Sequence, residues 1–251
     1  MKIMLSSSEI FYLAMLNGSD EIFGIEDIYF GKTDDEIREL VKSTSKTCMK
    51  KKLCTTDFED KVRVSDEHKK VIDMISFPDR FTEIILRNTR SRQSRRLFYA
   101  KGKEQIVLLE DEGVYSLCET VDELKTGLQV LFSEGCMVKA ETGKFTITHD
   151  EMSAVHSGKK PKSGTVRALL RDKGIDRVTV QLAAEGMAGK AGYLSVTSII
   201  GNHCESISYL ADSGIALQIK ITPKRDFSFE KVKCSAAKQT VAAFIGGDFY
   251  V

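Results

Sequence analysis

Three features of this sequence predict an α+β fold built from two pseudo-repeated halves, each an antiparallel sheet flanked by helices. Strand-like segments come in runs bracketed by helical segments, instead of alternating with them one by one. The order helix, strands, helix occurs twice, with equivalent positions separated by a nearly constant offset. Of the 251 residues, 42% are hydrophobic and 29% charged, a balance that supports a folded core.

The elements follow in order from local chemistry. Ser6 and Glu9 form an S-x-x-E capping box, in which each side chain satisfies a free backbone N–H at a helix start. Ile10, Leu13 and Ala14 then share a face with Asn17, and Gly18 ends the helix. A second helix follows Thr33, with Asp34, Asp35 and Glu36 in its first turn and Lys50, Lys51 and Lys52 near its end, an order that suits the helix dipole. A third starts at Ser65, places His68, Val71, Ile72 and Ile75 on one face, and stops before Pro78.

Strands come next. Phe81–Leu86 is the first, and Leu97–Ala100 and Gln105–Leu109 flank a hairpin turn at Lys101-Gly102-Lys103-Glu104. A turn at 110–113 leads into Val114–Leu117, and Thr120 caps a helix with Leu124, Leu128 and Leu131 on one face.

After a polar stretch containing Lys159-Lys160-Pro161-Lys162, the order returns. A helix covers Ser163–Arg171. Asp176–Glu185 also reads as a helix, although Val178, Val180 and Leu182 alternate as a strand would. Strands follow at Tyr193–Ile200, Ser206–Leu210, Ile215–Ile221 and Phe227–Lys233, and Ser235 caps a closing helix through Val241 and Phe244. Tyr99 thus pairs in pattern with Tyr209, Ser65 with Asp176 and Thr120 with Ser235. The chain reads as a single unit over 1–251, with an N-terminal half at 1–135, a linker at 136–162 and a C-terminal half at 163–251.

Charge and cysteines narrow the function. With 37 basic and 36 acidic residues the net charge is +1, too balanced for bulk attraction to nucleic acid or anionic membrane. No apolar run is long enough to span a bilayer, and the start lacks the apolar core of a secretory signal. The six cysteines show no CxxC spacing, so reduced and mostly buried thiols in a cytoplasmic protein are expected.

The catalytic motifs that come near fail on spacing. The glycines of 185–192 resemble a phosphate loop, but the first interval is too short and Ala191 stands where Ser or Thr would hold magnesium. A glycine loop after a helix is the simpler reading. Ser235-x-x-Lys238 and Lys125-Thr126-Gly127 match two motifs of penicillin-recognising enzymes, but in reversed order and without the third. The four histidines have no metal-ligand spacing, and His68 reads as a packed, hydrogen-bonded residue. Glu110 and Glu112 sit in a turn facing water, where nothing would separate their pKa values. No enzyme, no cofactor and no metal site is therefore expected.

The densest charge feature is Arg87, Arg90, Arg92, Arg95 and Arg96, spread over the connection between two strands. Arginine there can grip carboxylates or phosphates bidentately, or keep a sheet end solvated.

The element order also carries a resemblance over nearly the whole length. The capped opening helix Ser6–Leu16 is followed by a long helix ending in Lys50-Lys51-Lys52-Leu53. Then comes the helix–proline–strand passage from Val71 through Pro78 to Phe81, and last the paired strands of Gly192–Ile221 with the closing helix from Ser235. In these the chain resembles the EspG-like (EssE/EsaE-type) chaperones of type VII secretion. The resemblance implies a two-half α+β fold and a cytosolic, cofactor-free chaperone for secreted helical-hairpin proteins (WXG-like, LXG or PE/PPE-like). The absence of tryptophan departs from that family's texture and leaves the substrate class open.

The expected function is thus binding of a secreted helical-hairpin effector or heterodimer, with no nucleic acid, membrane insertion or small-molecule substrate. Arg90, Arg92, Arg95 and Arg96, with Val241 and Phe244 of the closing helix, are the candidate partner contacts. Two alternatives stand beside it: a nucleic-acid-binding regulator using the N-terminal helices, marked by steep salt dependence, and an enzyme whose site has no recognisable motif.

Overall fold

A computed structural model describes residues 3–88, 93–118, 122–132, 143–155, 163–212 and 215–245. The chain divides into two compact units: Met1–Glu83, Arg95–Glu119 and Ile199–His203 form the first, and Ile84–Ser94, Thr120–Ser198 and Cys204–Val251 the second.

In the first unit, β1 (Met4–Ser6) runs into α1 (Ser7–Leu16), followed by α2 (Asp34–Lys50), the hairpin β2 (Cys54–Thr56) and β3 (Val62–Val64), and α3 (Asp66–Ser76). The start of β4 (Arg80–Arg87) then joins β5 (Ser94–Lys101), β6 (Glu104–Asp111) and β7 (Val114–Cys118). Its strands lie in the order β1-β7-β6-β5-β4. β5 and β6 are antiparallel, with Phe98 opposite Val107, and β7 pairs back on β6 with Leu117 opposite Leu108.

The capping box predicted at the start of α1 forms. Glu9 N–H donates to Ser6 Oγ at 3.3 Å and Ser6 N–H to Glu9 Oε2 at 2.8 Å. Thr33 and Glu36 repeat the arrangement on α2. The Glu9 carboxylate is buried, and Lys51 Nζ compensates it at 2.6 Å. That ion pair ties the end of α2 to the start of α1, and Tyr12 OH donates to Ser45 Oγ at 2.8 Å between the same helices. Ser65, where the third helix was expected to start, is the N-cap of α3, and its Oγ bonds His68 Nδ1 at 2.7 Å and not a backbone N–H. His68 is buried and hydrogen-bonded, as expected.

The first core gathers Ile10 and Leu13 of α1, Ile72 and Ile75 of α3, and Leu97 and Leu108 of the sheet. Gly24 lies against it with φ +74°, and an added Cβ would stand 2.4 Å from Phe81 Cζ. Only glycine satisfies both demands. Tyr99 is wholly buried, its OH donating to Phe23 O at 2.7 Å, and burial pushes its phenol well above the usual range.

The second unit holds the end of β4, α4 (Asp122–Leu131), β8 (Lys144–Ile147), α5 (His149–Val155), α6 (Ser163–Asp172) and α7 (Arg177–Met187). It continues with β9 (Gly192–Ile200), β10 (His203–Asp212), β11 (Ile215–Ile221), β12 (Phe227–Val232) and α8 (Cys234–Ile245). The strand order is β4-β9-β10-β11-β12-β8. β10/β11, β11/β12 and β12/β8 are antiparallel.

The segment with the ambiguous period is a helix. Asp176 caps α7 by accepting from the N–H groups of Val178 and Thr179, and Val180, Leu182, Ala183 and Ala184 turn inward. Val178 of the apparent alternation is left 49% exposed. The stretch read as a linker contains β8 and α5, because Phe145 and Ile147 find partners far along the chain: Phe145 lies opposite Phe229, their rings stacked at 4.8 Å. Ser235 is not the cap of the closing helix. It falls inside α8, which begins at Cys234. The cap expected at Thr120 lies outside the described residues.

One face of this sheet carries the second core, with Val166 and Leu170 of α6 and Val180 and Leu182 of α7 over Leu217 and Phe229. On the opposite face Tyr209 meets Phe132 edge-on at 5.6 Å.

Candidate functional site

A concave surface lies in the second unit, over β9–β12 and beside α5 and the end of α7. It is a groove of about 500 Å³, within the ordinary range for a binding pocket. Strand register builds its floor. Ile219 of β11 lies opposite Ser208 of β10 on one side and Phe229 of β12 on the other, and Ile221 lies opposite Phe227. Directly opposed residues share a sheet face, and so do residues two apart, so these side chains converge.

The two sides of the floor differ in chemistry. Ile219, Ile221, Phe227 and Phe229 make one side apolar. Ile221 is 69% exposed, so this apolar surface opens to solvent. Hydroxyls make the other side. Ser208 Oγ donates to Ser195 Oγ at 3.1 Å and lies 3.4 Å from Tyr193 OH, and Thr197 Oγ1 donates to Ser206 Oγ at 3.2 Å. Met152 of α5 and Met187 of α7 complete the walls, thioether side chains that adjust to an occupant's shape.

Gly186 makes the wall possible. A Cβ there would stand 2.3 Å from Leu210 Cδ1, so only glycine allows the last turn of α7 to rest on the buried Leu210. The glycine loop of 185–192 is therefore a helix ending, with Gly189 at φ +75°.

At the rim, Arg87 lies 5.7 Å from the centroid of the Tyr193 ring, and its Nη2 donates to Ala191 O at 3.4 Å. Its Nε is buried without an acceptor among the described residues. Among the described residues no carboxylate, imidazole or thiol lines the groove. Among the described residues no group of three or more His, Cys, Asp or Glu is placed to hold a metal ion. The groove's chemistry is that of a surface for burying apolar side chains and accepting or donating hydrogen bonds at one border.

Among the described residues, the partner contacts expected from the sequence do not line this groove. Arg95 is on a strand, not in a solvated connection, and each nitrogen of its guanidinium donates inside the first unit. Nε donates to Glu83 Oε1, Nη1 to Glu110 Oε2 and Nη2 to Gly24 O, each at 2.6 Å. Burial opposes its charge, and the hydrogen bonds to Glu110 and Glu83 outweigh that and raise its pKa above the ordinary arginine value. Glu110 is consequently not a turn residue facing water; its side chain is 23% exposed and paired. Arg96 is buried in the same strand, and Arg90 and Arg92 lie outside the described residues. Val241 is wholly buried on the inner side of α8, while Phe244 is half-buried. Arg95 and Arg96 belong to the first unit and Val241 and Phe244 to the second.

Sequence reasoning missed the groove residues. A signal was present: Phe227 and Phe229 alternate with Ser228 and Glu230, and the apolar alternation of β11 runs on to Ile221 at the strand's end.

No sequence-family profile matches the chain, and comparison with curated proteins finds no match. Comparison with solved structures finds the type VII secretion system chaperone EspG5 of Mycobacterium tuberculosis, solved in complex with a PE25-PPE41 dimer. The likeness covers 98% of this chain and 94% of that one, with a TM-score of 0.57 at 11% identity. This chain has the EspG5 fold. The EspG5-like framework is thus the mixed helix-and-sheet architecture expected from the sequence, with antiparallel strand pairs as its backbone. Among the described residues, no helix is long and apolar enough to cross a membrane.

Proposed function

We propose that this chain is a cytosolic, EspG-like chaperone of type VII secretion. In this reading it binds secreted helical-hairpin proteins (WXG-like, LXG or PE/PPE-like), keeps them soluble and delivers them for export. It acts without catalysis and without a cofactor. The observation that carries the reading is the fold: the likeness runs over 98% of the chain to a chaperone solved with its protein partners. The open apolar floor of the groove adds physical support.

A helical hairpin awaiting export carries an apolar stripe that associates indiscriminately if left in water. Covering it is worth about 25 cal/mol per Å² of apolar area. An interface of ordinary size then suffices for binding that remains reversible, because the cost of association removes much of the gross gain. Ile219, Ile221 and Phe227 provide such a surface, and Phe244 of the closing helix is a further candidate contact.

The test is a native pull-down of the tagged protein from its own host's cytosol at moderate and high salt, with bound proteins identified by mass spectrometry. Recovery of a secreted helical-hairpin protein that survives high salt is the expected result. Recovery of nucleic acid lost at high salt, or of no secreted protein, overturns the proposal.

A further inference from the structure

We infer that the groove over β9–β12 receives an amphipathic α-helix whose apolar stripe is flanked by a carboxylate, and that Arg87 reads that carboxylate. The inference rests on the chaperone reading and names the partner chemistry of its apolar surface.

The helical form of the occupant follows from the sheet. β10, β11 and β12 each have a hydrogen-bonded neighbour on both sides. Their backbone N–H and C=O groups are spent, so an extended peptide cannot add as a strand there. Whatever lies on this face must bring a backbone that satisfies itself, and a helix does so. The spacing agrees. Adjacent strands are about 4.8 Å apart and one helical turn rises about 5.4 Å, so a helix laid across the strands sets successive i, i+3/i+4 and i+7 side chains over successive strands. Ile219 and Phe229 are neighbours across the strands in just this direction, as are Ile221 and Phe227.

The charge follows from Arg87. Its guanidinium lies over Tyr193, a residue of the groove wall, and among the described residues its one acceptor is the long contact to Ala191 O. The buried Nε has no acceptor among the described residues. With that Nε unsatisfied and only a long contact at Nη2, the guanidinium lacks compensation, and a carboxylate meeting its Nη edge is the counter-charge that matches its geometry. The hydroxyl border of Tyr193, Ser206 and Ser208 then meets the polar flank of the same helix, while Ile219, Ile221 and Phe227 meet its stripe.

The test uses two fluorescein-labelled synthetic helical peptides with leucines at i, i+3, i+4 and i+7. One carries a glutamate beside the stripe and its twin carries glutamine there. Fluorescence anisotropy on the full chain is expected to show the glutamate peptide binding about tenfold more tightly, the range of a charge-assisted hydrogen bond. Arg87→Gln is expected to erase that preference and leave the affinity for the glutamine peptide. Arg87→Lys retains part of it. Ile221→Asp, at an exposed position that leaves the core intact, weakens both peptides about tenfold or more.

Equal binding of the two peptides, a preference that survives Arg87→Gln, or binding of neither peptide overturns the inference. So does binding of laurate in place of the peptides, which would make the occupant an acyl chain. The two readings fail separately. A secreted client captured equally well by wild type, Arg87→Gln and Ile221→Asp removes the groove assignment and leaves the chaperone; glutamate-selective peptide binding without any secreted client does the reverse.

Discussion

Replacing Arg95 by methionine removes three hydrogen bonds, each 2.6 Å long, and strands two carboxylates. The Glu83 and Glu110 side chains are 21% and 23% exposed, so water cannot fully resolvate them. Breaking a buried pair from one side costs about 3–5 kcal/mol. Partial exposure and salt screening reduce this, and about 3 kcal/mol is expected, roughly a hundredfold in the unfolding equilibrium. Urea unfolding followed by far-ultraviolet circular dichroism measures it, since the chain has no tryptophan. A lower midpoint at unchanged slope is the expected form. Adding Glu83→Gln and Glu110→Gln to Arg95→Met is expected to recover about half of the loss, because the stranded groups are then neutral. A loss below about 0.5 kcal/mol for Arg95→Met would place the pairs in the class of exposed ion pairs and refute this account of β5.

Three further outcomes follow from the same geometry. Gly186→Ala is expected to lower stability by about 1 kcal/mol, since overpacking against Leu210 (about 1–3 kcal/mol) outweighs the helix-propensity gain of about 1 kcal/mol. In a Leu210→Ala background the same change becomes stabilising, which thermal unfolding of the four combinations reads directly. At Asp176, burial pushes the carboxyl upward, but hydrogen bonds from Thr179 and Val178 and the Lys231 charge hold it below the usual carboxylate range. Its stabilisation is therefore complete above the unfolded value near 3.8 and lost as pH falls through the lower folded one, so Asp176→Asn, which keeps a capping side chain, flattens the stability profile below about pH 4. Burial, aided by Cys54 and Glu9, pushes the Cys48 thiol up to about 12. In the native state it should resist a thiol reagent at pH 8 that labels the exposed Cys204, and stability should fall as pH rises from about 9, where the unfolded thiol ionises first.

The parts of this fold that were legible in the sequence are those set by neighbours a few residues away. The Ser6/Glu9 box, the acidic first turn of α2 and the stop of α3 before Pro78 act within one or two turns of backbone. The hairpin at 101–104 does the same, with Lys101 opposite Glu104. Segments whose state depends on distant partners were not legible. β1 and β8 are three and four residues long and are strands only because β7 and β12 accept them. Val178–Leu182 alternated like a strand, and packing of its other side against the sheet made it a helix.

The candidate site shows the same division. Composition and charge balance, together with the failed motifs, pointed to a binding protein before any coordinates, and the run of elements resembled the EspG-like chaperones. Arginine density along the chain, by contrast, is blind to compensation. Arg95 found its counter-charges twelve and fifteen residues away, whereas Arg87, in the same cluster, lies beside Tyr193, over a hundred residues on, with no acceptor for its Nε among the described residues. The groove itself exists only through the register of β10, β11 and β12 and the close seat of α7 on Leu210. Local sequence determined the capped helices and the hairpin turns, because capping, turns and hydrophobic period are short-range forces. Tertiary structure decided which charges are spent and where apolar surface stays open, because those depend on contacts that no neighbouring residue supplies.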